Sequence, residues 1–169
     1  MEPRATSDAV VEGILRTVPR WARFVGQELE QLDPPLSVRQ FLVLQRIDAG
    51  TSRTTDLAKT VRVTSPTMTR VLDRLVETGL VTRETDPEDR RALRLRLTPT
   101  GRKILARHSR ALSTSIRTLL DEAGATHDEL ATVNAACEIL SGAIDVRRAK
   151  ESAATSAKAP QERPQQRVG

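Results

Sequence analysis

The side chains best suited to do chemistry in this chain lie between residues 65 and 74. Ser65, Thr67, Thr69, Arg70 and Arg74 fall on one face of a segment whose other face is Met68, Val71, Leu72, Leu75 and Val76. The apolar residues recur at helical spacing, so the segment reads as an amphipathic helix. Ser65 is a candidate N-cap, Pro66 suits the first helical position, and Gly79 suits a helix end. Apart from Asp73, the polar face is short hydroxyls and guanidinium groups. Such a face fits a groove, donates to phosphates, and reaches a base edge through Arg70. Taken alone, the same pattern also describes an ordinary solvated helix face.

A second cationic group follows. After Gly79 the apolar period changes from helical to two. Residues 80–84 and 93–97 read as strands, the latter with leucines facing inward and arginines outward. Between them T-D-P-E-D-R-R-A forms a charged, turn-rich loop, so the pair reads as a wing behind a recognition helix. Arg90 and Arg91 at its tip are placed to enter a narrow minor groove, with Asp89 or Asp86 to hold them. The alternative is a solvated hairpin of mixed charge.

The charge distribution supports a polyanionic partner. The net charge is +5, but residues 51–110 hold fourteen Lys/Arg against seven Asp/Glu, a surplus that leaves the remainder slightly acidic. Arg53, in the link before the third helix, belongs to this basic centre. A basic centre between near-neutral flanks points to a polyanion bound in one place; with the groove-fitting helix described above, the expected partner is double-stranded DNA.

Other classes fit poorly. No apolar run approaches the ~20 residues that span a bilayer, and the first residues lack a secretory pattern. Cys137 is the single cysteine, which excludes an internal disulfide and suits a reducing cytoplasm. No Gly-rich phosphate loop, catalytic set or metal motif occurs, so neither an enzyme nor a cofactor or metal is expected.

The elements that must position these groups follow in order. Residues 7–32 read as a long helix, kinked or split at Pro19, and ended by Asp33-Pro34-Pro35. Ser37 caps a second helix over 38–48, with Phe41, Leu42, Leu44 and Ile47 buried and Ala49-Gly50 closing it. Residues 51–53 form a link able to pair as an edge strand. Thr54 or Thr55 caps a brief third helix through Lys59, and 61–64 turn into the recognition helix. This is a helix-turn-helix. Thr98-Pro99-Thr100-Gly101 opens a helix to about Leu120, with Leu105, Leu112 and Leu119 seven apart and His108 near the seam. A last helix starts near Thr126 and carries Leu130, Val133, Cys137, Leu140 and Ile144 at seam spacing. There the thiol reads as buried packing. From about Ala149 the composition is that of a disordered tail.

The order of these parts resembles the MarR family of bacterial transcriptional regulators over roughly residues 7–147. The resemblance rests on L-S-V-R-Q-F-L-V-L (36–44), on the stretch 54–83, and on D-P-E-D-R-R-A-L-R-L-R-L-T-P-T-G-R (86–102). It implies a mainly α fold with a small β-wing, a winged helix-turn-helix flanked by N- and C-terminal dimerisation helices. The implied division is 7–36 for the N-terminal dimerisation helix, 37–98 for the DNA-binding domain, 99–148 for the C-terminal dimerisation helices and 149–169 for the tail. By resemblance, Ser65, Thr67, Thr69 and Arg70 read the major groove, Arg74 touches the backbone, and Asp89 orients Arg91 toward the minor groove. The family implies a homodimer on a pseudo-palindromic operator, usually a repressor, released by a small phenolic or other anionic ligand. Here that ligand pocket would draw on Trp21, Phe24 and Phe41. The sequence lacks the N-terminal cysteine of peroxide-sensing members and the clustered ligands of zinc-sensing ones. The alternative function is a winged helix for non-specific nucleic-acid binding or protein contact.

Overall fold

The computed structural model describes residues 3–85 and 93–157. Their elements are α1 (Pro3–Gln31), α2 (Val38–Asp48), α3 (Thr54–Val61), α4 (Ser65–Glu77), β1 (Val81–Thr85), β2 (Leu93–Leu97), α5 (Pro99–Glu122) and α6 (His127–Ala157). The chain falls into two compact units, divided between Leu119 and Leu120.

In the first unit, α1 runs through Pro19 as one helix, so of the two sequence expectations there, a kink or two separate pieces, the second is not met. Proline removes one bond to the carbonyl four residues back. Leu15, which carries that carbonyl, lies on an exposed stretch of the helix. The α1 C-terminus docks on α2, with Leu29 and Leu36 buried and the Leu36 N–H donating to the Leu29 carbonyl at 3.2 Å.

The α2 start matches the sequence reading. The Gln40 N–H donates to Ser37 Oγ at 3.3 Å while the Ser37 N–H donates to Gln40 Oε1 at 2.9 Å. Two unpaired donors are thereby satisfied reciprocally. Replacing Ser37 with Ala is expected to lower stability by about 1 kcal/mol, and Ser37→Gly by only a few tenths. Urea unfolding of both variants checks this; equal losses would show that the hydroxyl contributes nothing. The buried face of α2 is Phe41, Val43, Leu44 and Ile47. Leu42, expected inside, is exposed, because Val43 takes the inward position of the same turn.

Residues 51–53 form no strand. A bond from the Leu95 N–H to the Ser52 carbonyl, 2.8 Å, links them to β2, and the sheet has two strands. Arg53 occupies the N-cap of α3, so neither Thr54 nor Thr55 caps it, and the helix reaches Val61 rather than Lys59. Leu57 and Ala58 anchor it in the core.

Thr64, not Ser65, is the N-cap of α4, and Ser65 is already helical. Thr64 has the extended backbone a cap needs, φ −68° and ψ 153°, and Pro66 still sits where a missing N–H loses nothing. Gly79 ends the helix at φ +69°. Its N–H donates to the Val76 carbonyl and that of Leu80 to the Leu75 carbonyl, each at 2.9 Å, which is the Schellman arrangement.

β1 and β2 pair antiparallel with Val81 opposite Leu97 and Thr85 opposite Leu93. Leu95 and Leu97 are buried, but Leu93, at the open end of the pair, is exposed, against the expected inward row. Thr98 then makes a junction. Its hydroxyl accepts from the Gly101 N–H at 2.9 Å, capping α5, and donates to the Gly79 carbonyl at 2.7 Å. The L-T-P-T-G pattern therefore joins the end of α4, the start of β1 and the start of α5.

His108 on α5 is fully buried rather than at an open seam. Its Nδ1 and Nε2 lie 2.9 Å from the carbonyl oxygens of Ile104 and Pro34, so the ring ties α5 to the segment between α1 and α2.

In the second unit, Thr126 and Glu129 form another reciprocal cap at the start of α6. The backbone N–H and hydroxyl of Thr126 hold the Glu129 carboxyl below its usual range. In the single chain Cys137 is exposed on this helix, as are Val133, Leu140 and Ile144, the residues expected at seam spacing for a partner helix. Helix α6 continues to Ala157, past the tail boundary expected near Ala149. Alanine is the best helix former, and Arg147–Glu151 at 2.7 Å adds a pair one turn apart.

Candidate nucleic-acid interface

Helix α4 is locked on one side and open on the other. Met68, Leu72 and Leu75 are essentially inaccessible, each contributing roughly 1.5–3 kcal/mol of burial. Helical geometry then turns Thr69, Arg70 and Arg74 to solvent, with Thr67 half-buried.

Thr67, Arg70, Val71 and Arg74 line an open cleft of about 410 Å³ whose other wall is the first turn of α2: Ser37, Arg39 and Gln40. Three guanidinium groups thus share one surface. Arg74 is offset by Glu77 at 3.4 Å, both side chains well exposed, while Arg70 pairs with no acid among the described residues. Clustered like charges oppose folding. They become favourable when a polyanion enters the cleft.

Arg39 is absent from the residues singled out by sequence. The signal available was an arginine in the first turn of a capped helix, but nothing local aims that turn at a residue 31 positions later. Asp73 also has a role that sequence left open. It accepts from Arg83 at 2.6 Å, fixing the outer face of α4 to β1. The stem of the wing is held by a diagonal ion pair, Arg96 to Glu84 at 3.0 Å.

The hydroxyls are parked locally. Thr69 donates to the Ser65 carbonyl at 3.0 Å, and the Thr64 and Thr67 hydroxyls share a bond of 2.9 Å. Each keeps acceptor capacity and can rotate toward a new partner. Ser65 is exposed at the start of α4, and Arg53 is exposed at the start of α3. Asp89, Arg90 and Arg91, together with Asp86, lie outside the described residues. Trp21 and Phe24 are half-buried on α1, their rings edge to face with centroids 5.8 Å apart. Phe41 is in the core of the first unit.

Among the described residues no group of three His, Cys, Asp or Glu is arranged to hold a metal ion, and no helix is long and apolar enough to cross a membrane.

Comparison with known proteins meets this geometry at the same residues. The sequence model of the MarR family matches residues 36–93, from the start of α2 to the start of β2. YpoP of Bacillus subtilis strain 168, named as an uncharacterised HTH-type transcriptional regulator, is 34% identical over 96 residues, 56% of this chain and 67% of its own. The crystal structure of wild-type apo MarR from E. coli superposes with a TM-score of 0.66 at 28% identity, over 76% of this chain and 94% of that one. A mutant MarR from E. coli in complex with operator DNA gives 0.63 at 26% identity, over 83% of this chain and 99% of that one.

Proposed function

Because this chain belongs to the MarR family of transcriptional regulators, we propose that it binds a pseudo-palindromic DNA operator as a homodimer, and that it represses. It is a regulator and not an enzyme. The observation that carries the DNA reading is the cleft that joins Arg39, Arg70, Arg74 and Thr67 on the open face of an otherwise immobilised helix. Thr67, Thr69, Ser65 and Arg70 read base edges in the major groove, while Arg74, Arg39 and Arg53 contact phosphates. Arg91, oriented by Asp89, and Arg90 reach the flanking minor groove.

Homodimerisation is supported by apolar surface left uncovered in each unit. Val10, Val11, Leu15 and Val18 on α1 are exposed, as are Val133, Ile139, Leu140 and Ile144 on α6. Exposed apolar rows of this length mark interaction surfaces, and a second copy would cover both. A two-fold protein suits a two-fold site. The protein works in the cytoplasm, and a small phenolic or anionic effector, met in part by Trp21 and Phe24, releases it from DNA.

Selection of bound fragments from random duplex DNA, followed by footprinting, tests this. The expected footprint is two-fold symmetric, with half-sites about one helical turn apart and affinity falling steeply with salt. Arg91→Ala is expected to weaken binding chiefly at the flanks. A strictly monomeric protein in sedimentation, or protection without symmetry or preference, would favour non-specific nucleic-acid binding or protein contact instead.

A further inference from the structure

Helix α4 carries four charged side chains, Arg70, Asp73, Arg74 and Glu77. Residues three or four apart on a helix are neighbours. Arg70 with Asp73 is therefore one potential pair, and Arg74 with Glu77 another. Among the described residues the second is made, at 3.4 Å, and the first is not. Asp73 instead meets Arg83 of β1, whose Nη2 stands 2.6 Å from its Oδ1.

The strand wins this acid for a physical reason. The Arg83–Asp73 contact is shorter, and its side chains are 37% and 45% exposed, against 66% and 65% for Arg74 and Glu77. Water screens the less exposed pair less. The consequence falls on Arg70. Of the residues one turn from it along α4, Pro66, Thr67, Asp73 and Arg74, Asp73 alone is acidic. With Asp73 held by the strand, Arg70 has no acid among the described residues and lines the cleft beside Arg39 and Arg74.

Resting on the DNA-binding reading above, we infer that Arg83 is a positioning residue for base recognition: by holding Asp73 against β1 it keeps Arg70 unpaired for the duplex. An arginine already paired must release its acid before it grips guanine. Facing a wrong base, it keeps that acid. Pairing therefore erodes discrimination between bases, and not affinity alone. Arg83 acts through Asp73 and needs no base contact of its own.

Arg83→Met keeps the apolar stem of the side chain and removes its guanidinium. Competition binding compares the selected operator with a version changed symmetrically at the base pair that Arg70→Ala relaxes. General gains or losses of charge cancel in that ratio. For Arg83→Met the ratio is expected to fall about two- to fivefold, with one helix-surface pair formed in each half-site. Arg83→Gln, a different neutral side chain, is expected to match it. Adding Asp73→Asn to either chain is expected to restore the ratio, because no carboxylate remains to capture Arg70. A merely structural role of Arg83 would not be rescued in this way. Arg83→Lys keeps a cation for Asp73 and is expected to keep the wild-type ratio. An unchanged ratio in the neutral variants, or a fall that Asp73→Asn does not reverse, would overturn this inference alone. So would an Arg70→Ala chain that relaxes no base pair of an operator the wild type prefers. A wild-type chain that prefers no duplex would overturn both this inference and the reading beneath it.

Discussion

Gly101→Ala is expected to destabilise the protein by about 3 kcal/mol or more, a large share of the roughly 5–15 kcal/mol that holds a domain folded. The sign is the informative part. In an ordinary helix the same change is favourable by roughly 0.5–1 kcal/mol, because alanine has less conformational freedom to lose. At position 101 a Cβ would stand 2.0 Å from the carbonyl oxygen of Leu80 and 2.9 Å from its carbon. Those atoms are backbone and cannot rotate away. The Leu80 carbonyl also accepts the Thr98 N–H at 3.1 Å, so moving it disturbs the junction of α4, β1 and α5 at once. Thr100→Ala, one residue earlier and exposed, is expected to stay within about 0.5 kcal/mol. Urea unfolding of the two variants makes the comparison. A Gly101→Ala protein as stable as wild type would show that α5 can withdraw from β1 without loss.

That contact explains why some of this fold was legible in the sequence and some was not. The L-T-P-T-G run announces a cap and a helix start, because Thr98 acts on residues three positions away. Ser37 with Gln40, and Gly79 after an apolar stripe, are equally local and equally visible. What glycine at 101 faces is not local. Nor is the burial of His108, whose Pro34 partner lies 74 residues away, so its position on α5 reads from sequence as a seam. Leu42 and Val43 are both apolar and about 100° apart on α2, and only the packed neighbours decide which turns inward. Thr64 and Ser65 can each cap a helix, and the backbone chose between them. In the site, Thr67, Thr69, Arg70 and Arg74 were legible because one helix carries them at its own period. Arg39 was not, because tertiary packing alone brings α2 to that face. The end of α6 misled for another reason: a low-complexity composition read as disorder is also rich in alanine, and a helix already running continues through it.

Arg70→Ala is expected to have the largest effect on DNA binding and almost none on folding. The side chain is exposed, pairs with no acid among the described residues, and shares its cleft with Arg39 and Arg74. Removing it breaks no ion pair among the described residues and relieves like-charge repulsion, so unfolding stability should stay within about 0.5 kcal/mol of wild type. Binding should respond differently. A bidentate arginine contact to guanine discriminates by ~1–3 kcal/mol. With one such contact in each half-site and the two well separated, the losses add to about 2–6 kcal/mol, or roughly 30-fold to 10⁴-fold in affinity. The loss should be confined to one base pair per half-site, where the variant tolerates substitutions that wild type rejects. Arg39→Ala separates this from simple loss of charge. As a phosphate contact it should weaken all duplexes alike and reduce the salt slope, leaving base preference intact. Competition binding against operators varied one base pair at a time distinguishes the two outcomes. If both variants lose affinity evenly across all sequences, α4 is held to DNA by charge alone and the base-reading role of Arg70 is lost. If Arg70→Ala changes neither affinity nor preference, the open face of α4 is not the surface that meets the duplex.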